Sequence, residues 1–139
     1  MARLSRAGRR VLAVALAAGA LVAALPADAH HSFAVHYDGE HTVTVAGVVK
    51  AFRFSNPHGV ILLDVTGDEG DVAEWRIETN SPNILRRRGW TPESLTPGDA
   101  VTITGFPSRD GSNSMRVYKI EFADGRELIG QRPAAGVER

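Results

Sequence analysis

Four of the chain's five histidines, His30, His31, His36 and His41, lie within twelve positions, and the fifth, His58, follows 17 residues later. None occurs from 59 to 139. Imidazole nitrogens in such density suit a transition ion, and cleavage after Ala29 would make His30 the first residue, with an amine and an imidazole able to close a chelate ring. The amine titrates at roughly 7.7–8.0 and the imidazole at roughly 6.5, so both can shed protons to a competing metal near neutrality. A flat set of nitrogen ligands favours Cu(II), whereas a tetrahedral three-histidine set favours Zn(II). Copper is the first expectation and zinc the alternative. After such cleavage Met115 is the sole methionine, and there is no cysteine, so a soft Cu(I) site is poorly served. The candidate ligands are His30, His31, His36 and His58. Each also has a plainer reading: His30 and His31 as a solvated terminus, His36 and His41 as strand-entry or surface residues, and His58 as a holder of its own turn.

The segment ahead of the histidines supports that cleavage. Arg3, Arg6, Arg9 and Arg10 precede an apolar run from Val11 to Leu25, and the stretch closes on Ala27-Asp28-Ala29. A basic start, a short apolar run and small residues at the exit are the pattern of a secretory signal peptide over 1–29. The remainder is expected in the periplasm or outside the cell, and is not membrane-spanning once the leader is removed. Residues 30–139 carry 12 basic and 15 acidic residues, a net charge of −3 with histidines neutral. That balance argues against a nucleic-acid partner, whose phosphates are held by positive charge. With no cysteine, disulfide staples and thiol chemistry are excluded.

A metal site needs elements to hold it. After the His-rich segment 30–40, Thr42 to Phe54 alternates with a two-residue period and is rich in β-branched side chains, with Gly47 marking a bend or bulge. Ser55-Asn56-Pro57-His58-Gly59 reads as a turn, Val60–Val65 as a second strand, and Val72–Thr79 as a third that sets Ala73, Trp75 and Ile77 on one face. The periodicity then changes. Ser81 as N-cap, Pro82 at the first helical position and Gly89 as the stop define a helix of roughly two turns, anchored by Ile84, Leu85 and Trp90. Strands follow at Ala100–Phe106 and Met115–Phe122, then a tight Asp124-Gly125 turn into a short final strand, with 131–139 as a tail. Three strands, a short helix and two more strands give a mainly β chain, a five-to-six-stranded OB-like Greek-key barrel over 41–130. A β-sandwich is the runner-up.

His-His-Ser-Phe at 30–33, Asn-Pro-His-Gly at 56–59, Glu-Trp-Arg-Ile-Glu at 74–78, the run from Ser81 to Trp90 and that from Ser94 to Asn113 together resemble an exported bacterial family that carries only a domain-of-unknown-function label. The resemblance covers nearly all of the chain after the leader. It implies export and these boundaries, and it brings no activity.

Three classes of function remain open. The first is a non-catalytic exported binding module for copper or another transition metal. The second is a structural domain that meets an envelope protein without metal, and the third a copper-dependent oxidase, which would need an open coordination position. The acidic Gly67–Asp71 turn lacks the ligand spacing of a calcium loop, and no nucleophile-elbow glycines surround Ser32 or Ser81.

Overall fold

Alternation along each strand decides which side chains enter the interior. The computed structural model describes residues 31–131, without the side chains of His31 and Ser32, so the proposed leader, His30 and the tail from 132 lie outside the described residues. The elements are α1 (His31–His36), β1 (Val43–Arg53), β2 (Val60–Thr66), β3 (Val72–Glu78), α2 (Pro82–Arg87), β4 (Ala100–Pro107), β5 (Ser114–Phe122) and β6 (Glu127–Ile129). Within ladders, Phe52, Ile61 and Ile77 form one inward row, and Val49, Leu63 and Trp75 the next. Such rows, with Ile103, Met115, Val117 and Ile120, make the apolar core.

The sheet runs β3-β2-β1-β4-β5-β6, and a parallel pairing of β3 with β5 closes it into a five-stranded barrel with β6 appended. This is the OB-like Greek-key arrangement read from the sequence. Antiparallel ladders join every other pair of neighbours.

Two local details differ from expectation. The register irregularity of β1 falls at Lys50, between Val49 and Ala51, whereas Gly47 keeps its place opposite Val101. Gly47 serves a close approach instead: a Cβ there would lie 2.5 Å from the Asp64 carbonyl oxygen. In α2 the anchors are Leu85 and Trp90, which are buried, but Ile84 is 38% exposed. Six residues cannot hold a helix alone, and only the face bearing Pro82 and Leu85 turns inward. The stop is as expected. Gly89 adopts φ +84°, and its amide and that of Trp90 return to the Arg86 and Leu85 carbonyls. Trp90 then donates its indole N–H to the Ile129 carbonyl at 3.0 Å, tying β6 to the barrel.

Helix α1 covers the outside of the β4–β5 end. Phe33 packs edge-on against Phe106 with centroids 5.5 Å apart, and Tyr37 bridges to Ser108. Asp38 donates its amide to the Pro107 carbonyl, and the Arg109 amide and Nε donate to the His36 and Ala34 carbonyls. Among the described residues no helix is long and apolar enough to cross a membrane.

Candidate functional site

The residue after Ile77 on β3 points outward, and this puts Glu78 on the barrel's exterior opposite Val60 of β2 and Arg116 of β5. The β1–β2 turn carries His58 to the same place. Its Nδ1 lies 2.6 Å from Glu78 Oε1, while Arg116 Nη1 donates to that oxygen at 2.5 Å. From above, Tyr37 donates its hydroxyl to Glu78 Oε2 at 3.0 Å. Three elements distant in sequence therefore converge on one carboxylate.

The base of this cluster is buried. Arg116 Nη2 donates to Asn80 Oδ1 at 2.7 Å, and Asn80 Nδ2 donates to the Gly130 carbonyl at 3.4 Å. The turn holding His58 is pinned beside it, since Gly59 and Thr79 are joined through N–H to C=O at 2.8 Å and Gly59 also donates to the Asn80 carbonyl. A side chain on Gly59 would collide with the Thr79 hydroxyl at 2.5 Å, so the approach is possible only without a Cβ.

Burial and charge set the protonation states around Glu78. Burial first, then the Glu78 charge and its hydrogen bond, push the Tyr37 hydroxyl from 10.0 up to about 12, so it is a donor at every physiological pH. Burial lowers the Arg116 pKa while Glu78 opposes that shift, and the guanidinium stays charged. Arg116 Nε is buried without a hydrogen-bond partner.

The expected ligands fall into distinct places. His58 joins the cluster with its side chain 40% exposed, and with Nδ1 turned to Glu78 its Nε2 is the ring nitrogen left to meet a ligand. His36 closes α1 with an exposed side chain, only one residue before Tyr37. His31 opens the same helix, and His30 precedes the described residues. His41 is engaged elsewhere, 2.8 Å from Asp38 Oδ2. Among the described residues no group of three or more His, Asp, Glu or Cys side chains forms a finished metal cage.

Glu78, Arg116, Tyr37 and Asn80 were not singled out by the sequence. Glu78 belongs to an alternating charged face that looks like any solvated strand. The usable signal is topological: once β3 is known to pair with β5, an acidic and a basic outward residue fall opposite each other.

The first inter-strand turn thus presents an oriented imidazole on the outside of an OB-like barrel, next to a docked N-terminal helix. The chain belongs to a family of unknown function, DUF6152, whose profile matches residues 18–116. No curated protein matches the sequence.

Proposed function

We propose that the protein is an exported binding module that holds a transition metal, copper(II) before zinc, between His58 and the histidines at its N-terminal end. One observation carries this reading: His58 directs Nδ1 to a carboxylate that Arg116 and Tyr37 immobilise, and Tyr37, which bonds that same carboxylate, directly follows the helix that runs from His31 to His36. Metal-binding histidines characteristically turn their second nitrogen to a carboxylate, which fixes the ring and makes the ligating nitrogen more basic. Glu78 stands in that supporting position. The remaining ligands would come from the N-terminal histidines, with the His30 amine included once the leader is cut at Ala29. No catalytic residue is assigned.

The test is titration of the chain beginning at His30 with Cu(II) and Zn(II) by calorimetry, with electron paramagnetic resonance for copper. Stoichiometric uptake at micromolar Cu(II) is expected, with His58→Ala and an extra residue ahead of His30 each weakening it at least about tenfold. No uptake, or uptake indifferent to both changes, overturns the reading.

A further inference from the structure

The cations of this domain are unevenly satisfied. Lys50, Arg109, Arg116, Lys119 and Arg126 each reach a carboxylate. Arg53 and Arg76, with the three arginines at the end of α2, form no ion pair among the described residues. Among the described residues every cation left over is an arginine, although residues 30–139 as a whole are acidic.

Strand register puts two of them on one surface. Arg53 of β1, Val60 of β2, Glu78 of β3 and Arg116 of β5 form one outward row, and Ala51, Leu62, Arg76 and Ser114 form the next. These two rows hold three guanidiniums against one carboxylate. Between the exposed Arg53 and Arg76 lie half-buried Ala51, Val60 and Leu62, an apolar strip with a cation at each diagonal corner. On the far side the surface changes character, because Lys50 is neutralised by Glu74 at 2.6 Å and Asp64 at 4.0 Å.

We propose that this face docks an extended, acidic peptide segment of a partner protein. Two strand spacings and a two-residue offset separate the Arg53 and Arg76 backbones by about 12 Å, close to the roughly 13 Å between side chains four apart on one face of an extended chain. Glutamates at such positions would each meet a guanidinium fork, and the apolar residue midway between them would lie on Val60 and Leu62. Arginine favours carboxylates through two parallel N–H donors, a geometry that lysine lacks. A nucleic acid is disfavoured because, among the described residues, these two rows contribute no aromatic side chain: Phe52 and Trp75 belong to the inward rows, and Tyr37, which reaches Glu78, is buried. The proposal does not depend on metal.

The experiment is fluorescence anisotropy at low salt with the full chain and a labelled seven-residue peptide, glutamate at its second and sixth positions, valine at its fourth and threonine elsewhere. Arg53→Gln with Arg76→Gln, both exposed and so harmless to folding, provides the variant. Binding that salt weakens, that the double variant loses about tenfold and that a glutamine-for-glutamate peptide lacks supports the proposal. Absence of binding, equal binding of the glutamine peptide, or equal binding by the double variant overturns it. So does a result in which only phosphatidylglycerol vesicles bind and the double variant abolishes that binding, since the surface would then be a lipid one.

Discussion

His41 and His58 each turn Nδ1 to a carboxylate at nearly equal distance, 2.8 Å to Asp38 and 2.6 Å to Glu78, yet the two pairs are built differently. Asp38 lies in the connection between α1 and β1, where its Oδ1 accepts from the nearby Glu40 amide, and the His41 side chain is 74% exposed. Glu78 is held at both oxygens, by a buried guanidinium and by a phenol that stays protonated. A carboxylate whose hydrogen bonds come from its own connection orients an exposed imidazole less firmly than one fixed by groups from two distant elements. Distance alone does not distinguish the two histidines; what fixes the partner carboxylate does.

The widest separation between the pairs comes from removing the support. Arg116→Ala leaves Glu78 and Asn80 without their buried partner and should cost about 3 kcal/mol or more, read as a shift of the urea midpoint. Arg109→Ala, which removes the 3.8 Å neighbour of Asp38 and one exposed hydrogen bond to the Ala34 carbonyl, should cost no more than about 1 kcal/mol. Next comes the metal itself. Glu78→Gln should lower Cu(II) affinity by about 10-fold or more while Asp38→Asn leaves it unchanged, both measured by calorimetry. Equal effects would erase the distinction between the two histidines.

A smaller effect appears at high pH. Because the folded Tyr37 hydroxyl titrates at about 12 against 10.0 when unperturbed, its contribution is complete below pH 10 and disappears as pH rises towards 12. Between those limits the protein should lose roughly 1–2 kcal/mol that Tyr37→Phe does not lose, allowing for partial solvent access. The slightest expectation concerns His41. Asp38 raises its pKa, so any stabilisation is present below 6.5 and fades as pH rises through the raised value. NMR titration should show the raised pKa, and His41→Ala should leave the melting temperature unchanged.

Much of the barrel was legible because period-two alternation reports which residues face inward, and Ile61, Leu63, Ile77 and Ile103 are all buried as that pattern requires. The helix end was legible too, since only glycine takes Gly89's positive φ cheaply. Ile84 and the Lys50 bulge were not. Both depend on how one element settles against another, and local pattern is silent on that. Helix α1 was equally hidden, since six residues fold there only with Phe33 and Tyr37 to seat them on the barrel. At the site, the sequence named His58 because histidine is a scarce ligand type. It passed over Glu78 and Arg116, 38 positions apart, because ordinary strand charges acquire meaning only when the sheet closes.

That closure also governs how the chain reaches its native state. Val43 pairs with Gly105 and Glu78 with Arg116, so β1, β2 and β3 can register as consecutive hairpins, but the barrel cannot close until β4 and β5 join them. Pairings this far apart along a chain make the conformational search slow, on the order of milliseconds to seconds for small all-β domains. The charged cradle beneath His58 is complete only when β5 brings Arg116 to Glu78, so a kinetic trap that delays β5 would delay the cradle with it.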